Sequence, residues 1–256
     1  MDKINLHENF EDFLSGLSEQ NYHILEDEVD IKIQNLYFKT SKKVSKLTIK
    51  DEVLKNSILL NDNTVDIDKK KEILCQLASL NDVESFRILE KCLRKFDNEE
   101  LNNWSIMAYN EARMILNGSL KNEQQIFIST GLGGKSGKFR YFIAFQPTEE
   151  HEKFTEFSRD FIKKELNFTL SLNNSEIERI IEEKEEYISF KVLIPFQANI
   201  PKLFKDILDN CNQLTPFVDD RVIITNVNEM SSQEIMEFIN SDDWNDDVVD
   251  DFISLN

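Results

Sequence analysis

The sequence predicts an α+β protein, with an N-terminal helical module followed by a mainly antiparallel sheet that carries helices on one face. Three observations point there. Residues 66–117 contain no proline and repeat their apolar residues at helical spacing. At Gln124 the pattern changes to short aromatic and β-branched runs bounded by Gly and Pro. Those runs then alternate with amphipathic stretches up to Val227, an order that suits helices layered on an antiparallel sheet. The organisation that follows is a mixed segment over 1–65, a helical module over 66–122, an α+β module over 123–228 and an acidic-aromatic tail over 229–256.

The opening segment is mixed. Phe10, Phe13, Leu14 and Leu17 keep a helical period between Asn9 and Glu19. Val29-Asp30-Ile31-Lys32-Ile33 alternates apolar with polar and reads as a short strand or extended connector. Lys39, Lys42, Lys43, Lys46 and Lys50 form a basic cluster, read as a solvated face or as a contact for an acidic partner.

Three apolar stripes then define three helices. Ile73, Leu74, Leu77 and Leu80 make the first, and Asn81-Asp82 ends it, with Asp82 placed to cap the next. Phe86, Leu89, Cys92, Leu93 and Phe96 make the second, which stops at Asp97-Asn98. Leu101, Trp104, Met107, Ala108, Ala112, Ile115 and Leu116 make the third, with Gly118 expected just past its end. The run Leu77-Ala78-Ser79-Leu80-Asn81-Asp82-Val83-Glu84-Ser85 followed by Ile88-Leu89 resembles a HEAT-like repeat, and Trp104 to Ala112 resembles a second, diverged unit. HEAT-like units act as scaffolds for protein contacts, so the resemblance implies a binding role. An ordinary three-helix packing unit fits the same residues.

In the second half, Gln125 to Ser129 and Phe139 to Phe145 read as two strands joined by a glycine-rich loop. Glu149 to Asn167 reads as a helix with Phe154, Phe157, Phe161, Ile162 and Leu166 on one side. Phe168 to Leu172 alternates as a strand does, and Ser175 to Glu185 reads as a charged helix with Ile177, Ile180 and Ile181 facing inward. A strand over Tyr187 to Ile194, a helix over Ile200 to Cys211 and a strand over Asp220 to Val227 complete the layer.

Composition narrows the function classes. The 256 residues carry 48 acidic against 30 basic side chains, a net charge of −18, which repels nucleic-acid backbones and anionic lipid over long range and argues against duplex DNA. The three cysteines are odd in number and widely spaced, which suggests reduced thiols in a cytoplasmic protein. No apolar run is long enough to span a membrane, and the N-terminus lacks the apolar stretch of a signal peptide. No catalytic motif, metal-ligand spacing or cofactor fingerprint stands out, so the expectation is a non-enzyme without cofactor.

One local feature departs from the acidic background. Four of the six glycines fall within Gly131-Leu132-Gly133-Gly134-Lys135-Ser136-Gly137, inside an acid-free window from Gln124 to Thr148. Gly134-Lys135-Ser136 matches half of a phosphate-binding P-loop. However, Ser129 stands where the first glycine belongs, and a β-rich run follows instead of a helix. The glycines serve either a turn needing positive φ or a backbone that a partner approaches closely, with Lys135, Lys138 and Arg140 pairing carboxylates or phosphates. In the tail, Trp244, Val248 and Phe252 recur every fourth residue among aspartates, as in a docking helix.

The favoured expectation is a cytoplasmic adaptor. Gly131, Gly133, Gly134, Lys135, Lys138 and Arg140 would meet an anionic group or acidic protein surface, and Trp244 and Phe252 would meet a basic partner. The alternatives are a phosphate- or nucleotide-binding enzyme using the loop, and a single-stranded RNA-binding module stacking bases on Tyr141, Phe142 and Phe145.

Overall fold

The computed structural model describes residues 22–45, 49–121 and 126–241. The described residues form two compact units that meet in sequence between Ser129 and Thr130. The expected Asn9–Glu19 helix lies outside the described residues, as do Trp244 and Phe252.

The first unit is mainly helical. Strand β1 (Tyr22–Ile24) precedes α1 (Ile31–Val44), α2 (Lys50–Asn56), a 3₁₀ turn (Ser57–Asn61), α3 (Ile67–Ala78), α4 (Val83–Cys92), α5 (Glu99–Lys121) and β2 (Ile126–Ile128). Aspartates start three of the helices. Asp30, Asp66 and Asp82 each accept a hydrogen bond from a backbone N–H in the following first turn, which satisfies donors that the helix itself leaves unpaired. The apolar stripes of α3 and α5 meet the buried face of α1. Tyr37, Ile73, Leu74, Leu77, Trp104 and Met107 are almost fully removed from water, and such burial is the main favourable term in folding.

The helix over 31–44 replaces the strand or connector expected around Val29–Phe38. Gln34, Tyr37, Ser41 and Val44 are its buried positions, spaced by three and four. That period only emerges over three turns, whereas the local alternation at 29–33 is short. The third helix also runs through Gly118 to Lys121. Strand β2 pairs in parallel with β1, Tyr22 opposite Ile126, and is not half of the expected hairpin.

The second unit is a sheet with helices on both faces. It comprises β3 (Gly134–Lys135), β4 (Lys138–Phe145), α6 (Glu156–Leu172), β5 (Glu176–Glu183), β6 (Ile188–Pro195), α7 (Ile200–Asn212), β7 (Ile223–Thr225) and α8 (Ser232–Ile239). Every pairing in this sheet is antiparallel. β6 lies between β4 and β5, while β3 and β7 both pair with β4. The order β4-α6-β5-β6-α7-β7 is a split β-α-β arrangement, in which α6 connects two strands separated by a third.

Alternation along the strands fills both faces. Ile143 and Phe145 of β4 join Phe190, Val192, α6 and α7 in one core. Phe142 and Ala144 join Leu132, Tyr187 and Ile223 under Ile235 of α8 in another. The helix α8 thus lies within residues expected to be tail. Its start is a capping box, with Ser231 and Glu234 each bonding the other's backbone N–H.

Two further assignments change. Residues 168–172 are the last turn of α6, so their alternation reports two helix faces: Thr169 and Leu170 are buried, while Phe168 and Leu172 are exposed. Residues 176–183 form a strand, not a charged helix. Register shifts between Ile177 and Arg179, and between Ile180 and Glu182, add residues to β5. Such bulges turn a period of two into spacings of three and four, which imitate a helix.

Candidate functional site

The glycine-rich run folds onto its own unit. Ser136 and Gly137 hold φ of 52° and 79° between β3 and β4, the double positive-φ turn that two-residue hairpins favour. Gly133 also has positive φ, at 67°. Gly131 is required for a different reason: a Cβ there would lie 1.7 Å from the Val227 carbonyl oxygen. The Leu132 N–H donates to the Asn226 carbonyl, and the Gly133 N–H donates to that of Thr130. These donors are therefore occupied within the chain and do not form a phosphate cradle.

The cations divide. Lys138 pairs with Glu176 at 3.0 Å and Arg140 with Glu178 at 2.6 Å, and Arg140 also donates to the Leu132 carbonyl. Lys135 is exposed at the hairpin tip. Gly131, Gly133 and Gly134 are buried, which corrects the expectation that their backbone is open to a partner. Three of the four glycines are thus explained within the chain: Gly137 by the tight turn, Gly133 by its positive φ and Gly131 by the close backbone approach.

The aromatic strand is core. Phe145 is buried in one core with Tyr141 packed against it, and Phe142 is buried in the core on the other face, so these rings present no platform for stacking bases. The cysteines are buried, and burial raises each thiol above its ordinary value, to about 12 for Cys211. That keeps them protonated and unreactive. Among the described residues no cluster of His, Cys, Asp or Glu is arranged to hold a metal.

A buried polar network was not legible in the sequence. In the helical unit, Glu111 of α5 accepts hydrogen bonds from the Tyr37 hydroxyl and from Ser41, both on α1. Burial raises the Glu111 carboxyl above its ordinary range, although these two donors pull it back in part. Next to it in sequence, Asn110 contacts His23, whose pKa is lowered chiefly by burial. These partners lie 70 or more residues apart, and no local spacing links them. Each group is satisfied, so the network positions helices.

The exposed surface of α6 is unusual. Phe157, Phe161, Lys164, Phe168 and Leu172 recur at spacings of three and four and share one stripe, opposite the buried Ile162, Leu166 and Leu170. Phe157 is 79% exposed, Phe168 56% and Leu172 70%. Phe157 and Phe161 stack with centroids 6.3 Å apart. The sequence reading placed Phe157 and Phe161 on the inner side with Phe154 and Leu166; Phe157 is exposed instead, whereas Phe161 is half-buried and packs edge-on against Phe217, the ring that Phe154 also meets. A helix with two apolar stripes cannot be resolved by periodicity, because both stripes repeat at the same interval.

No family model matches the sequence, and no curated protein matches it. Among solved structures, the chain is similar to a Deinococcus radiodurans R1 protein described as a transposase. The two are 16% identical, over 41% of this chain and 92% of that one, with a TM-score of 0.35. A likeness at that level carries no argument about function.

Proposed function

We propose that the protein is a non-enzymatic adaptor that binds an acidic, aromatic-bearing segment of a protein partner on the outer stripe of α6. The observation that carries this reading is the alignment of Phe157, Phe161, Phe168 and Leu172 around the exposed Lys164. Isolated exposed rings are ordinary on a surface, but a contiguous apolar stripe is characteristic of a contact site. Lysine at its centre selects a partner that brings carboxylates among its apolar anchors, as amphipathic docking helices do. Residues 242–256 of this chain, with Trp244, Val248 and Phe252 among aspartates, have that chemistry and make a direct probe. The HEAT-like resemblance of the helical unit supports a scaffold role for the rest of the molecule, and the basic hairpin tip at Lys135 is a second candidate contact.

The test uses a labelled 242–256 peptide and a chain ending at Ser241, followed by fluorescence anisotropy. Saturable binding that disappears in Phe157→Ser/Phe168→Ser is the expected result. Equal binding by wild type and the double variant, or none by either, would exclude an acidic-aromatic occupant of the stripe.

A further inference from the structure

The helical unit contains a cavity whose lining differs in chemistry from the α6 stripe. A cavity of about 300 Å³ opens where the 3₁₀ turn, the start of α3 and the connection between α4 and α5 converge. Three of its lining side chains are Lys70, Lys91 and Lys95, and one is the carboxylate Asp97. Leu60 and Phe96 contribute apolar wall.

Lys70 is the informative residue. It is only 6% exposed, yet its ammonium has no ion pair or hydrogen bond among the described residues. The neighbouring Lys71, 8% exposed, shows what this fold does with a buried lysine that it satisfies internally. Lys71 pairs with Asp68 at 3.1 Å and with Glu100 at 2.8 Å, and it lies over the Trp104 ring. The carboxylate that Lys70 influences, Asp62, spends its hydrogen bonds on Thr64 and does not reach the ammonium. The stem of Lys70 is buried, but its ammonium is not sealed from solvent: it stands at the cavity without a protein partner, where an anion would supply one.

We infer that this cavity binds a small phosphate monoester with an apolar body, its phosphate held by Lys70, Lys91 and Lys95. Three ammonium groups outnumber the lining Asp97 and the nearby Asp62, and that excess of positive charge favours a dianion over a carboxylate. Lysine acts as a point charge towards phosphate, whereas the paired donors that suit carboxylates are an arginine feature, and no arginine lines the cavity. The volume is at the lower end for small-molecule sites, which limits the body to about the size of one ring.

Phenyl phosphate is the probe, titrated calorimetrically into the full chain at low salt beside benzoate and inorganic phosphate. The expected result is saturable binding of phenyl phosphate, weaker binding of both comparators, and at least about tenfold loss in Lys70→Met. Because Lys70 is buried, Lys91→Gln/Lys95→Gln serves as the variant that keeps the fold, with weakened affinity and an unchanged thermal midpoint. No saturation by about 10 mM, or equal affinity in all three proteins, overturns the site. Benzoate binding as tightly overturns the phosphate assignment, and inorganic phosphate binding as tightly overturns the apolar body.

Discussion

At the scale of single residues, two substitutions separate packing from charge. Gly131→Ala drives a methyl group into the Val227 carbonyl, a backbone atom that cannot swing aside. It is expected to lower stability by about 1–3 kcal/mol in urea unfolding, and an unchanged midpoint would show that the 131–227 approach is not rigid. Glu111→Gln reports the buried carboxyl. Burial raises its folded-state pKa above the ordinary 4.5, so the folded protein keeps the proton to higher pH than the unfolded chain does. The stability this gives is complete below about pH 4.5 and is lost as pH rises through the folded value. The amide does not titrate, so the stability of Glu111→Gln relative to wild type should increase from pH 4.5 upward and then level off. Parallel stability–pH curves for the two proteins would rule this out.

At the scale of elements, the most informative is α8. Its capping box and Ile235, only 1% exposed, make it part of the second unit rather than the start of a solvated arm. Ile235→Ala should cost about 2–5 kcal/mol by chemical denaturation, against about 1 kcal/mol for loss of the cap in Ser231→Ala. If both changes are neutral, α8 does not contribute to the core. Ending the chain at Val227 would uncover Phe142 and Ile223, so tests of the tail need Ser241 as the last residue. On α6 the outer stripe should behave oppositely. Phe157→Ser and Phe168→Ser should each shift stability by no more than about 0.5 kcal/mol, because those side chains touch mostly water.

At the scale of the whole molecule, each unit has its own core. The first is centred on Tyr37, Leu74 and Trp104, and the second on the two faces of the sheet. A fragment of residues 130–241 is therefore expected to unfold cooperatively in urea, with a circular dichroism spectrum of mixed helix and strand. A broad, non-cooperative loss of signal would mean that the sheet unit is not an independent folding unit. Among the described residues no helix is long and apolar enough to cross a membrane.

What the residues alone determined was local. The three amphipathic helices of 67–121, the aromatic strand β4, the strand β6 and the α+β class follow from spacing and turn chemistry within a few residues. What only the tertiary structure decided was long-range. Bulges set by pairing with β6 made a strand of 176–183, and contact with α8 gave the sheet a second covered face. Carboxylates on β5 neutralised two of the three loop cations. The reason is physical: secondary-structure period is written along the chain, whereas the partner of a charge, the face a stripe turns to water and the ammonium left unpaired at Lys70 depend on residues brought together from far apart.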